Sequence, residues 1–280
     1  MVFTWNIWVV MHYSELQIHS NFSFLQGASH PEEIVQTAAR MKYSAIALTD
    51  INSVSGVVRA HSAAKMEGIH FIPASQLNLE DGTILLIYPT DRNSWGQLCQ
   101  LLSLGKQRTS KGQCALTLDD VLSEGVALNW QIIIVPPDDI SDETFIHKLY
   151  RIKHNVASGT LSIACTFLYS GDDNQRLSII NEICSMCGIP MVAVNKVYFH
   201  TIDRRPLQDV ISCIREGCTI YEAGYLLNQN GERHMKTPDT MAQLFRNYPN
   251  AINRNIEITD TCRFSLDELK YDYPIHTTPN

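Results

Sequence analysis

Two short segments carry the residues most able to do chemistry. Glu15-Leu16-Gln17-Ile18-His19-Ser20 has the shape of an H-x-H metal motif with glutamine in the first histidine position, and Leu48-Thr49-Asp50 sets a carboxylate directly after an apolar run. A histidine and a carboxylate at strand ends could hold a divalent ion, although isolated ones are more often structural or solvated. Gln76, Lys196 and Tyr198 follow other apolar runs. The basic stretch with Lys106, Arg108 and Lys111 could touch a phosphate backbone or be a solvated loop. Cys184-x-x-Cys187 invites a zinc or redox reading, but no second pair accompanies it, which favours a structural role for both thiols, as for Cys213 and Cys218. His19 with Ser20 and Ser23 would suit a nucleophile, yet no G-x-S-x-G elbow occurs. Nor does a D-x-D pair able to clamp two metals on a nucleotide. Asp119-Asp120, Asp138-Asp139 and Asp172-Asp173 are adjacent, and neighbours in a strand point to opposite faces.

These residues need elements to position them. Ser14 to His19 alternates polar and apolar residues and reads as a first strand. A helix follows, capped by Ser29 or His30, with Pro31 in its first turn, Glu32 and Glu33 at its positive end and a stripe of Ile34, Val35, Ala38, Ala39 and Met41. Tyr43 to Leu48, Ile69 to Ile72, Thr83 to Tyr88, Gln131 to Val135, Leu161 to Leu168 and Pro190 to Val194 are further strands, and Val54 to Met66 and Ser94 to Leu104 are helices. About seven short strands interleaved with amphipathic helices, without a Gly-rich dinucleotide fingerprint, favour an α/β fold with a closed or nearly closed barrel. In such a barrel the strand C-termini carry the chemistry, which is where Gln17, His19, Asp50, Gln76, Lys196 and Tyr198 fall. From Leu207 onward the pattern is mainly helical, through Asp239 to Tyr248 and Asn250 to Cys262.

The 280 residues suffice for one large barrel or two small domains. With 45% apolar and 18% charged residues the composition is that of a globular chain. The net charge of −7 is the wrong sign for gripping nucleic acid without a local basic patch. No apolar run reaches membrane-spanning length, and Phe3 to Met11 is interrupted by Asn6 and lacks a basic flank or cleavage site, so the expected compartment is the cytoplasm, with reduced cysteines and no membrane partner.

Longer motifs are more specific. They are Asn21-Phe22-Ser23-Phe24-Leu25-Gln26-Gly27-Ala28-Ser29-His30-Pro31-Glu32-Glu33, Tyr88-Pro89-Thr90-Asp91-Arg92, Leu101-Leu102-Ser103-Leu104-Gly105-Lys106, Arg204-Arg205-Pro206-Leu207-Gln208-Asp209-Val210, Cys213-Ile214-Arg215-Glu216-Gly217 and Cys262-Arg263-Phe264-Ser265-Leu266-Asp267-Glu268-Leu269. On these the chain resembles the N-terminal polymerase-and-histidinol-phosphatase (PHP) domain of bacterial C-family DNA polymerases, closest to the error-prone branch. The resemblance implies a distorted (β/α)7 barrel over residues 13–202, a helical appendage over 203–274 that leads toward polymerase domains, an unmatched extension over 1–12, loosely packed or an added edge strand, and a tail over 275–280. It implies a role in translesion synthesis and DNA repair. The implied partners are the remaining polymerase domains, accessory proteins and the sliding clamp, with DNA contacted only indirectly.

Active members of the family hold zinc or manganese through an H-x-H pair, an Asp-His pair, a Glu, further histidines and a D-x-H; the polymerase site itself uses magnesium. Carried over residue by residue, His19 and Asp50 match ligands. Gln17 and Ile51 stand in place of histidines, Gln76 in place of the Glu, and Lys196 and Tyr198 in place of the D-x-H pair. Glu to Gln and Asp to Lys make the pocket three charge units more positive, and Ile51 has no lone pair. An ammonium about 4 Å from a divalent ion would be repelled by roughly 8 kcal/mol at an effective dielectric near 20. The expectation is therefore a non-catalytic, structural module with no cofactor, its old pocket held by a Lys196–Asp50 ion pair. The competing expectation is an active metal-dependent phosphoesterase or 3′–5′ exonuclease.

Overall fold

The computed structural model describes residues 12–123, 129–140 and 143–270. The expectations for the N-terminal extension, His12 apart, and for the tail lie outside them. Along the chain the elements are β1 (Ser14–Ile18), α1 (Pro31–Arg40), β2 (Ala45–Leu48), α2 (Val57–Glu67), β3 (His70–Pro73), β4 (Ser75–Asn78), β5 (Ile84–Pro89), α3 (Arg92–Gln107), α4 (Leu118–Leu122), β6 (Trp130–Val135), α5 (Glu143–Asn155), β7 (Leu161–Cys165), α6 (Asp173–Cys187), β8 (Met191–Ala193), α7 (Arg205–Glu216), α8 (Pro238–Leu244) and α9 (Pro249–Thr261). No helix among the described residues is long and apolar enough to cross a membrane.

Local chemistry sets the boundaries. At α1, Pro31 enters the first turn and the His30 N–H donates to Glu33 Oε2 at 2.9 Å. At α3, Asp91 caps by accepting from Ser94 N at 2.7 Å. The sequence reading places seven strands, and the structure has β4 in addition. Ser75-Gln76-Leu77-Asn78 is too polar to stand out, and its strand character comes from pairing antiparallel with β5. The expected strand over Leu161 to Leu168 stops at Cys165.

The strands form two sheets. In one, β1, β2 and β3 run parallel; in the other, β4, β5 and β6 are antiparallel and β6, β7 and β8 parallel. Isolated parallel bridges link the sheets at Ile18–Val197 and Ile51–Gln76. Alternation along each strand divides the core. Ile46, Leu48, Leu85, Ile87, Ile132 and Ile134 pack with the helices, while Ala45, Ala47, Leu86, Tyr88 and Ile133 form a second cluster on the other face. Its small members, including Ala74 and Ala164, keep that interior narrow.

The helical stretch expected as an appendage divides in two. Part of it is core: Ile258 of α9 and Cys262 just past its end join the inner cluster, and Met241 and Phe245 are fully buried rather than free to pack on other domains. Asn255 is completely buried; its Oδ1 accepts from Ser14 N at 3.0 Å and its Nδ2 donates to Ser14 O at 2.6 Å and Ala193 O at 3.1 Å. Arg254 donates to Ser162 Oγ, Gln131 Oε1 and Gly159 O, so α9 lies across the strand starts of β1, β6 and β7. Replacing Asn255 with Ala leaves three buried backbone groups unpaired, and the expected cost is about 2–4 kcal/mol in chemical denaturation. The exposed neighbour change Glu257→Ala should stay within about 0.5 kcal/mol.

Candidate functional site

The strand C-termini converge as the sequence implies, but with a different bonding pattern. A register shift between Glu15 and Ile18 interrupts β1. It lets the adjacent residues Leu16 and Gln17 both serve the inner side, Leu16 in the apolar cluster and Gln17 bonding to Gln76. Gln76 Oε1 accepts from Gln17 Nε2 at 3.2 Å and lies 3.0 Å from His19 Nε2, while Gln76 Nε2 donates to Asn78 Oδ1 at 2.8 Å. With this orientation of the amide, His19 must be the Nε2–H tautomer. Its Nδ1, like Gln17 Oε1, is then a buried acceptor without a hydrogen-bond partner. Burial holds the His19 imidazole neutral, its pKa lowered to about 3.

Asp50 is buried, and its carboxylate is met by dipoles. Ser20 N donates to Oδ1 at 2.8 Å, Ser20 Oγ to Oδ2 at 2.7 Å and Ser23 Oγ to Oδ1 at 2.6 Å. Burial raises its pKa, and these hydrogen bonds oppose the shift. Two glycines make the approach possible. A Cβ on Gly27 would lie 2.0 Å from Ser20 O, and one on Gly56 would lie 2.8 Å from Asp50 Oδ2.

The expected Lys196–Asp50 ion pair does not form. Lys196 is half-buried at φ 53°, makes no ion pair among the described residues, and lines a separate pocket of about 230 Å³ with Arg176, Arg233, Asp138 and Asp172. The physical reason is that three donors already satisfy Asp50, so an ammonium would be desolvated for little gain. Tyr198 stacks near His19, ring centroids 5.2 Å apart, and the Arg233 guanidinium lies 5.2 Å from the Tyr198 ring. Ile51 contributes backbone only: its N–H donates to Ser23 Oγ and it bridges to Gln76. Sequence reasoning missed Arg233 and the role of Ser20 and Ser23 in holding Asp50. The serines stood in a quoted motif, but Arg233 had no local signal.

A second polar group missed from sequence lies two residues before Gln17. Glu15 is fully buried; it accepts from Tyr13 Oη at 2.7 Å, Gln17 N at 3.0 Å and Asn195 N at 3.1 Å, and burial raises its pKa to about 7. Lys236, also buried, donates to Asn195 Oδ1 at 3.0 Å and to Glu232 O.

Of the basic stretch, Arg108 is spent on a bidentate pair with Asp120, at 2.6 and 2.9 Å. Lys106 and Lys111 line a cleft of about 500 Å³ with Phe22, Ser23, Phe24 and Ile51, and no acidic side chain lines it. Cys184 and Cys187 are buried free thiols of α6, and burial pushes Cys184 up to about 12. Cys213 is likewise buried, and Cys218 half-buried.

Residues 15–129 match the PHP domain. The error-prone DNA polymerase of Caulobacter vibrioides is 43% identical over 270 residues, covering 95% of this chain and 24% of its own length. Error-prone DNA polymerase 1 of Agrobacterium fabrum is 39% identical over 262 residues, covering 94% and 24%. Among solved structures, an amidohydrolase from Chromobacterium violaceum with bound sulfate and no metal superimposes with a TM-score of 0.52 at 15% identity, covering 67% of this chain and 88% of that one, a likeness of fold. The chain is thus a PHP-domain protein of mixed α/β fold. Over nearly its whole length it belongs with the N-terminal part of the error-prone DNA polymerases, and it spans about a quarter of the length of those relatives.

The two buried titrating groups make opposite pH predictions. Unfolded His19 takes a proton near pH 6.5 while the folded ring waits until about 3, so its contribution to stability is present above 6.5 and lost as pH falls. Glu15 keeps its proton to about 7 when folded against 4.5 unfolded, so its contribution is present below 4.5 and lost as pH rises through 7. Relative to the parent, His19→Gln should therefore gain stability progressively below pH 6.5, by at most about 1.4 kcal/mol per pH unit, in denaturation series read at several pH values. A pH-independent difference would contradict a neutral buried imidazole.

Proposed function

We propose that this chain is the N-terminal PHP module of an error-prone DNA polymerase, acting in translesion synthesis and DNA repair in the cytoplasm, with a metal centre replaced by a metal-free polar network. The observation that carries the second half is the pairing of the would-be ligands with one another. Both oxygens of Asp50 are taken by Ser20 and Ser23, His19 and Gln17 converge on the amide of Gln76, Ile51 offers no side-chain donor, and Lys196 and Arg233 add positive charge nearby. Among the described residues no three His, Cys, Asp or Glu side chains converge as a metal cage requires. This donor set does not fit a two-metal phosphoesterase centre. The bridges Ile18–Val197 and Ile51–Gln76 support a distorted (β/α)7 barrel, and the stretch 203–274 is read as the route toward further polymerase domains, with accessory proteins and the clamp as more distant partners. With no D-x-D pair, the chain alone does not polymerise.

Elemental analysis after dialysis tests this directly. The parent should retain no zinc or manganese. The five changes Gln17→His, Ile51→His, Gln76→Glu, Lys196→Asp and Tyr198→His, made together, should restore retention. Two or more ions held by the parent would instead establish the rival metal-dependent phosphoesterase or 3′–5′ exonuclease.

We further infer that Lys106 and Lys111, not Arg108, are the phosphate contacts, because they face an acid-free cleft in a chain of net charge −7. Any affinity for a labelled oligothymidylate should then fall with salt at a log–log slope of about −1.4, for two phosphates on a single strand. Lys106→Ala with Lys111→Ala should flatten that slope.

A further inference from the structure

We propose that the apolar face made by α7 and the loop after it is the docking surface for the polypeptide that follows this segment in the error-prone DNA polymerases. The proposal rests on the module reading above and adds a surface to it.

Exposed apolar side chains are not scattered evenly over this molecule. Of sixteen large apolar side chains exposed among the described residues, eight fall between residues 202 and 226. The sequence of α7 explains half of the arrangement. Gln208, Ser212 and Cys213 are buried, so Leu207, Val210 and Ile214, at spacings of three and four, share the opposite, exposed face. Ile220 extends this face across a groove of about 630 Å³ bordered by Ile202, Pro206 and Val210. Beyond it Tyr221 and Tyr225 are 97% and 104% exposed, rings that a chain folded for solvent alone would not present together. Leu226 is 53% exposed beside them.

Two observations select the occupant. Of the charged side chains bordering the face, Arg205 pairs with Asp209 at 3.3 Å and Arg215 with Glu216 at 2.8 Å, and Asp203, which lines the groove without an ion pair among the described residues, adds a negative charge that disfavours an anionic ligand; an apolar surface with such a polar rim suits a protein. The relatives supply the protein: their match to this chain is N-terminal and covers about 24% of their length, so roughly three quarters of each polymerase lies beyond it. The segments over Met241 and Phe245, also apolar at helical spacing, are consumed by the core, which leaves α7 and its loop with the densest exposed apolar face among the described residues.

The test compares the isolated chain with a fusion in which it replaces the N-terminal quarter of the Caulobacter polymerase. Tyr221 and Tyr225 should be nitrated readily by tetranitromethane in the isolated chain and at least tenfold more slowly in the fusion. The exposed Tyr169 should react equally in both. Val210→Ser, Ile214→Ser and Tyr225→Ser, made together at exposed positions, should restore the reactivity of Tyr221 in the fusion. In the isolated chain they should lower binding of a hydrophobic dye, a readout independent of whether the fusion folds. Equal nitration in a fusion that synthesises DNA overturns the surface and leaves the module reading intact; equal nitration in an inactive fusion counts against both. An isolated chain that dimerises, and becomes monomeric with the three changes, makes a second copy the occupant and overturns the proposal. Tyrosines already shielded in the isolated monomer would mean that the chain's own residues cover the face, which overturns it as well.

Discussion

A carboxylate removed from water must be met by charge or by dipoles, and here dipoles do it. Asp50 lies two residues past the end of β2, and the hydroxyls of Ser20 and Ser23 with the amide of Ser20 bring the loop after β1 down onto it. Much of the strand-end geometry depends on that contact. Ser23 Oγ in turn accepts from Ile51 N, and Ile51 bridges to Gln76, which gathers Gln17 and His19. The loop can descend so far because Gly27 and Gly56 have no Cβ where one would strike Ser20 O or Asp50. Hydrogen bonds from neutral groups hold the carboxylate without desolvating a cation, which explains why the lysine nearby takes no part.

Most of the framework was legible in the sequence. Strands buried by helices announce themselves as apolar runs, and the Pro31 start marks α1, whereas the Asp91 cap, which begins α3 two residues ahead of the expected Ser94, was not read. What was not legible depended on partners distant in the chain. β4 is a strand because β5 lies beside it, and the burial of Met241 and Phe245 could not be read off because helical spacing gives a stripe without saying what it meets. The site shows the same division. Gln17, His19 and Gln76 do meet at strand ends, but the partner of Asp50 was not legible, since charge alone nominated Lys196 while hydroxyls two and five residues past Gln17's strand had the shorter route.

Further buried polar contacts tie the sheets to the C-terminal helices. Glu15, Asn195 and Lys236 link β1, the end of β8 and the segment before α8, while Asn255 and Arg254 fix α9 across the strand starts. Asn255 is buried and Arg254 half-buried, both with named partners, so they specify where α9 must lie more sharply than apolar contact with Ile258 and Cys262 would. Asn255 and Arg254 therefore hold the strand starts, while Glu15, Asn195 and Lys236 adjoin the strand-end network through Gln17 N.

Lys196 keeps one further piece of information in its main chain. Its φ of 53° lies in the left-handed region, where short polar residues such as Asp and Asn are several-fold enriched and a long side chain carries a penalty of about 1 kcal/mol. The family resemblance places an aspartate at this position in metal-binding members. Leu25, Lys42 and Tyr169 share this region, so the torsion does not require a short residue, but under the proposed reading an aspartate set at 196 would meet a backbone that already tolerates it, and the exchange of side chain asks for no refolding of the loop.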